Sequence, residues 1–304
     1  MAMPEKLRVA AAQYPIDALA TLAAWQDKIA RWVADGAATG ASLLVFPEYG
    51  AIEQAHPLGA DVYRDLGQTL EKVAELAGER VALHADLARK HRVHILVGSG
   101  PLKREDGRFV NAAQLVTPSG DVGEQHKLIL TPFERDWNMT QGDEILVFET
   151  SLGRIATTIC YDSEFPLLAR AMAAAGAEVL LVPQCTDRIT GHHRVRTGAT
   201  ARALENQLAA VTSPTIGDAL WSPAVDRNTG AAGIYVPAEQ TVSDTGVLAE
   251  GKINVPGWIA ATIDLAALRR ARAEGEMRNF RDWREQPGAD AAAAVAKTRL
   301  VSLE

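Results

Sequence analysis

The sequence predicts a layered α/β fold with mixed β-sheets. Three observations carry this. Short apolar, β-branched segments recur between stretches with helical apolar spacing, from residue 7 to about residue 265. Pro118-Ser119-Gly120 and Leu152-Gly153 separate strand-like segments as hairpin turns do, so some neighbouring strands run antiparallel. Of the 304 residues, 47% are hydrophobic, enough to fill the core of one large domain or two.

The elements follow in order. Leu7 to Gln13 reads as a strand. Ala18 to Ala38 carries Leu19, Leu22, Trp25, Ile29 and Val33 at helical spacing and ends near Gly36 and Gly40. Ser42 to Phe46 is a buried-strand pattern. Asp61 to Arg92 is helical, with an interruption near Gly78. His94 to Gly100 is a strand; Phe109 to Thr117 and Gly120 to His126 form one hairpin, and Ile145 to Thr150 with Arg154 to Ile159 another. A helix begins in the first turn after Cys160, with Pro166 near its start and Gly176 at its end. The strand Glu178 to Val182 and a helix from about Gly191 to Asn206 come next. Leu208 to Ser213, Ala232 to Val236, Thr241 to Ala249 and Trp258 to Ile263 complete the strands. Residues 1–265 are read as one domain and 266–304 as a C-terminal extension. In the extension, Ala266 to Met277 is rich in good helix formers, while the remainder lacks a core-facing stripe. It packs either on a partner subunit or on its own.

The chemistry-bearing string is Ile159-Cys160-Tyr161-Asp162-Ser163-Glu164-Phe165-Pro166, where an apolar strand stops at a cysteine and a helix follows. A cysteine on a strand-to-helix turn is accessible to a ligand, and a helix N-terminus favours its thiolate. Backbone N–H groups of such a turn can face a developing oxyanion. Read alone, Cys160 is either a nucleophile or a small buried core residue. Glu48 ends the strand pattern Leu43-Leu44-Val45-Phe46-Pro47, and Lys127 follows the strand ending at His126. Loops at strand ends are where α/β folds bind ligands. There a carboxylate can serve as base and a lysine as oxyanion partner, although most Glu and Lys are simply solvated.

Together these pieces resemble the nitrilase superfamily of carbon–nitrogen hydrolases, in which a glutamate, a lysine and a cysteine occur in this chain order. The matching motifs are Phe46-Pro47-Glu48-Tyr49, His126-Lys127-Leu128 and Ile159-Cys160-Tyr161-Asp162. Thr131-Pro132-Phe133-Glu134-Arg135 supplies the family's second glutamate as Glu134. Val9 to Gln13, Val97 to Gly100, Gly142-Asp143 and Ala201 to Gln207 agree as well. The resemblance implies a four-layer αββα sandwich built on two mixed β-sheets. It also implies cysteine-nucleophile chemistry. Glu48 is the base, Cys160 attacks the carbonyl, Lys127 and the Tyr161 N–H stabilise the oxyanion, and Glu134 orients the substrate nitrogen or the lysine. No metal or organic cofactor is needed. The family places the segment after the Glu178 to Val182 strand beside the nucleophile, which makes Gln184, Cys185 and Thr186, with Tyr49, candidates for the substrate pocket. It also implies a homodimer or larger homo-oligomer in which the helices from about Glu164 to Ala175 and Gly191 to Asn206 meet their copies.

Tyr161-Asp162 after the cysteine is the amidase-side pattern, where nitrilases usually have tryptophan and glutamate. A small linear amide is therefore the expected substrate, with nitriles and N-carbamoyl amides as alternatives. A catalytically silent binding protein on the same fold is the alternative of another class. Arg194 and Arg196 could grip a substrate carboxylate. They could equally pair with Asp187 or with a neighbouring subunit.

Other patterns carry less. Val97-Gly98-Ser99-Gly100 lacks the third glycine of a dinucleotide fingerprint. His84, His91 and His94 lack a carboxylate cluster at ligand spacing and read as solvated. His192-His193 invites a Cys–His dyad that the family does not use. The net charge of -7 excludes a basic nucleic-acid footprint. Two cysteines, Cys160 and Cys185, make no disulfide framework, and no run of about 18 apolar residues could cross a membrane. With no apolar leader near Met1, the expectation is a cytoplasmic protein.

Overall fold

Strand β1 (Lys6–Pro15) shows how the layers arise. Its side chains alternate between two apolar clusters. Leu7, Val9 and Ala11 enter one, and Ala10, Ala12 and Tyr14 enter the other. The computed structural model describes residues 4–294 and 297–303, so Met1–Met3 of the N-terminal reading lie outside the described residues.

Helix α1 (Leu22–Ala38) is capped by the Thr21 side chain, which accepts from the Ala24 N–H, and buries Trp25, Ile29 and Val33. Then come β2 (Leu43–Val45), α2 (Ala60–Tyr63), α3 (Leu66–Glu75) and α4 (Ala77–His91). The break expected near Gly78 falls at Leu76. Gly78 sits in the first turn of α4, where a glycine is tolerated. β3 (His94–Lys103), β4 (Phe109–Val116) and β5 (Val122–His126) form an antiparallel meander. The short α5 (Pro132–Asp136), absent from the sequence reading, carries a capping box in which Thr131 and Glu134 satisfy each other's main-chain N–H groups.

β6 (Glu144–Thr150) and β7 (Gly153–Thr157) make the second hairpin. A 3-10 turn (Cys160–Glu164) and α6 (Pro166–Ala174) follow, then β8 (Val179–Gln184), α7 (Ile189–Asn206) and β9 (Ala209–Asp218). After β10 (Arg227–Asn228) and β11 (Gly233–Tyr235), strand β12 is confined to Val247–Glu250. The earlier part of the expected Thr241 to Ala249 strand instead forms turns around Glu239 and Ser243. β13 (Gly257–Asp264) leads into α8 (Leu265–Glu274), α9 (Asn279–Asp282) and β14 (Lys297–Ser302).

The strand path runs β14-β6-β7-β8-β9-β1-β2-β3-β4-β5. The two expected sheets are its two halves. A short parallel pairing of Tyr14 and Pro15 with Thr215 and Ile216 joins them, so the path is continuous. Inner faces of both halves meet in one cluster that contains Val9, Val45 and Leu115 from one side and Phe148, Leu181 and Val211 from the other. α1, α3 and α4 cover the outer face of one half, and α6 and α7 that of the other. This is α/β sandwich architecture with helices outside.

Of the two readings of the extension, the structure shows packing on its own subunit, with a strand that the sequence did not announce. β14 adds to the β6 edge in parallel, from Lys297 opposite Glu144 to Ser302 opposite Glu149. The preceding segment lies against α6, where the Arg170 guanidinium sits 4.3 Å from the Phe280 ring and 4.8 Å from the Trp283 ring. The apolar residues of α6, including Leu168, Ala169, Met172 and Ala173, are buried within this subunit and offer no free stripe. Residues 295–296 of the extension lie outside the described residues. Among the described residues no helix is long and apolar enough to cross a membrane.

Candidate active site

Four side chains named from the sequence converge where β2, β5 and β7 end. Lys127 Nζ lies 2.7 Å from Glu48 Oε1 and 2.8 Å from Glu134 Oε2, and all three residues are 1% exposed. Lys127 is therefore no surface lysine. Cys160 is also buried, and its Sγ lies 3.8 Å from the Cys185 carbonyl oxygen. The Cys185 N–H donates to Glu48 Oε2 at 2.9 Å. The Tyr49 hydroxyl donates to Glu134 Oε1 at 2.7 Å.

Backbone strain marks both ends of this cluster. Tyr49 has φ 56° and Cys160 φ 49°, in the left-handed region that side-chain-bearing residues seldom adopt. Close approaches hold both turns. The Ser99 N–H donates to Pro47 O, and a Cβ on Gly98 would stand 2.1 Å from that oxygen. The glycine-bearing string on β3 thus serves as the seat of the Glu48 turn. A Cβ on Gly198 of α7 would stand 2.8 Å from Ser163 O, so that helix packs directly on the Cys160 turn.

The charges are unequal by construction. Burial pushes Glu48 above the ordinary carboxylate range, against the pull of Lys127, and the neighbouring Glu134 charge pushes the same way. Burial would also raise Glu134, but Lys127, the Thr131 N–H and Asn111 together hold it below that range. Burial opposes charge on Lys127 too. The two glutamates outweigh it and keep the ammonium protonated. One carboxylate is poised to take a proton and the other stays ionised.

Cys160 corrects an expectation. Burial, then the Glu48 charge, push its thiol well above the usual value, and Lys127 opposes them only in part. The regular helix begins at Pro166, beyond the 3-10 turn, so no α-helix N-terminus meets the sulfur. The resting group is a thiol next to a base. Tyr161 lies in the first turn of the 3-10 segment, where N–H groups lack intrahelical acceptors.

The remaining candidates divide. Cys185 meets Glu48 and Cys160 through its main chain, while its thiol approaches Asn228 Oδ1 at 3.2 Å. Burial pushes that thiol up to about 12. Gln184 donates to Ala231 O and Thr186 to Thr229 O, so the structure ties both to the β10–β11 loop and away from the carboxylates. Arg194 and Arg196 pair with Glu164 and Glu250 rather than with Asp187. His192 Nδ1 accepts from the Ala231 N–H. His84 and His94 are buried rather than solvated.

Sequence reasoning gave two further residues no part in holding the site together. Asn111 on β4 donates through Nδ2 to Glu48 Oε1 at 3.0 Å and to Glu134 Oε1 at 2.9 Å, bridging the carboxylates a second time. Asp162 accepts from main-chain N–H groups on both sides of the site. Its only signal was a carboxylate two residues after a cysteine; Asn111 offered none.

A thiol, a protonatable carboxylate and a fixed ammonium in a dry site can perform acyl transfer through a covalent intermediate. Comparisons with known proteins identify the family. The carbon-nitrogen hydrolase family matches residues 8–273. The probable hydrolase YhcX of Bacillus subtilis is 32% identical over 91% of this chain, which covers 54% of that relative's length. Nitrilase 3 of Arabidopsis thaliana is 26% identical over 81% of this chain and 75% of its own. The crystal structure of an amidase from Nesterenkonia sp. superposes with a TM-score of 0.66 at 24% identity over 88% of this chain and 94% of that one, a likeness of fold.

Proposed function

The chain belongs to the carbon–nitrogen hydrolase family, and from that premise we propose that it hydrolyses small linear amides through a thioester on Cys160. The observation that carries this reading is one buried ammonium held between two buried carboxylates beside a thiol on a strained turn.

Glu48 takes the Cys160 proton as the sulfur attacks the amide carbonyl. The oxyanion forms against Lys127 and the Tyr161 N–H. Glu48 then returns the proton to the departing nitrogen, and ammonia or an amine leaves. Water, deprotonated by Glu48, releases the carboxylic acid and the free thiol. The raised thiol does not obstruct this, because proton transfer and attack occur together and no resting thiolate is required. Glu134, held ionised, keeps Lys127 charged and aimed; Tyr49 and Asn111 fix Glu134 in turn.

The amide reading rests on Tyr161-Asp162 after the nucleophile. A panel of short aliphatic amides, dicarboxylic monoamides, N-carbamoyl amino acids and nitriles, read as ammonia release, tests it. Turnover confined to nitriles would replace it, and no turnover with any member would favour a silent binding protein. Cytoplasmic residence and a homodimer belong to the same reading. With α6 covered by its own extension, the contact between copies would use the outer face of α7, where Leu204 is exposed.

A further inference from the structure

We propose that Asp162 is a positioning residue that sets the spacing between Lys127 and Cys160. This rests on reading Cys160 as the nucleophile and Lys127 as the oxyanion partner.

Asp162 is 1% exposed. Its Oδ1 accepts from the Ile129 N–H at 2.7 Å and from the Leu128 N–H at 3.2 Å. Its Oδ2 accepts from the Ile159 N–H at 3.1 Å, with Leu128 also 3.3 Å away. Leu128 and Ile129 directly follow Lys127, and Ile159 directly precedes Cys160. One carboxylate therefore spans the two segments whose side chains must meet across the carbonyl carbon.

The need for it follows from the topology. β5 ends at His126 and β7 at Thr157, so the segments beyond them have left the sheet ladder. Buried N–H groups there require acceptors. A carbonyl offers a single oxygen; the two oxygens of the Asp162 carboxyl group accept from three N–H groups on two segments. Other bonds close the unit. The Ser163 hydroxyl donates to Cys160 O at 2.7 Å, and the Asp162 N–H to Ile159 O at 3.1 Å. Asp162 bonds to the main chain beside Lys127 and Cys160, and its charge also favours the Lys127 ammonium.

The test uses Asp162→Asn and Asp162→Glu in the full chain. The assay is ammonia release from acetamide, propionamide and butyramide, with kcat normalised to the fraction of Cys160 that iodoacetamide labels. The Asn variant presents an NH2 group where an acceptor was. It should lose about 10²-fold in kcat per labelled site, the cost of an ångström-scale misplacement, with KM changed less than about threefold. The Glu variant keeps the carboxyl group but moves it by one methylene, and should lose roughly tenfold on the same grounds. If the Asn variant does not fold, the Glu variant decides. Parent-like kcat per labelled site in either folded variant overturns the proposal, as does a loss confined to KM. Full activity in Cys160→Ala would instead overturn the underlying thioester reading, whatever the Asp162 variants do.

Discussion

Two buried clusters at either end of one short turn have nearly the same composition. The first joins Lys127 to Glu48 and Glu134, with the Tyr49 hydroxyl on Glu134. The second joins Lys28 to Glu53 and Asp17, at 2.5 and 2.7 Å, with the Tyr14 hydroxyl on Glu53 at 2.6 Å. Each has one ammonium, two carboxylates and one phenol. The difference lies in what each cluster adjoins. Both oxygens of Glu53 are occupied, by Lys28 and the Asp17 N–H on one and by Tyr14 on the other. Asp17 reaches solvent, its side chain half exposed. Glu48 instead adjoins a thiol, and both of its cluster's carboxylates are sealed from water. In the proposed reaction the same inventory serves as a brace in one place and as an acid–base site in the other, because only one adjoins the Cys160 thiol and buries both of its carboxylates.

Cys160→Ala gives the largest expected effect: it should abolish ammonia release while the thermal midpoint stays within a few degrees, since a small side chain is shortened without adding charge. Residual turnover at the parent level would erase the distinction between the clusters. Next, Glu48→Gln should lower kcat by roughly 10²–10⁴-fold. Glu53→Gln should leave kcat per folded molecule unchanged but reduce stability by roughly 3–5 kcal/mol, the cost of breaking a buried pair from one side. Urea melts beside initial rates separate the two outcomes, and a Glu53 variant that loses kcat without stability would reverse the assignment.

Glu134→Gln should impair turnover while iodoacetamide still alkylates Cys160, because it weakens the ammonium's hold and leaves the base in place. Equal loss of both reactivities would place Glu134 in the proton path. A smaller effect concerns His84, buried between Trp25 and Phe46 and belonging to neither cluster. Burial pulls it down to about 4. Its folded value lies below the unfolded one, so its neutral form supports the fold fully above about pH 6.5 and that support is lost as pH falls toward 4. The loss is about 3 kcal/mol. His84→Gln should flatten that part of the stability–pH curve in urea melts at pH 7 and 4.5. An unchanged slope would assign the acid sensitivity to other groups. Last, light scattering at micromolar protein should give at least twice the 32.6 kDa chain mass. Leu204→Lys should return it to one.

The sequence was most legible where chemistry sits on strand ends. Glu48, Lys127 and Cys160 could each be placed at a strand end by a local pattern, Glu134 came only from the family resemblance, and the order of short strands and helices followed from periodicity. What escaped depends on register between distant strands. Asn111 reaches both glutamates only because β4 lies beside β3 and its hairpin partner β5 delivers Lys127. The left-handed turns at Tyr49 and Cys160 leave no mark in composition, since neither residue is a glycine. The thiol's ionisation was misjudged because a helix start was inferred from Pro166 without the burial that dominates it. β14 was missed because Lys297 to Ser302 alternates around an exposed edge, with little apolar content to announce a strand.

β1 has a consequence for how the chain is made. It pairs with β2, with β9 through its last residues, and along nearly its whole length with β13, from Lys6 opposite Asp264 to Gln13 opposite Gly257. This strand, the first of the sandwich in chain order, is completed by almost the last one. Until residue 264 has emerged, one edge of β1 presents unpaired amide groups from an apolar strand, the template on which neighbouring nascent chains pair. Closing so long a loop also makes this pairing late and slow. The same strand that joins the two halves therefore keeps one edge open until β13 has been made.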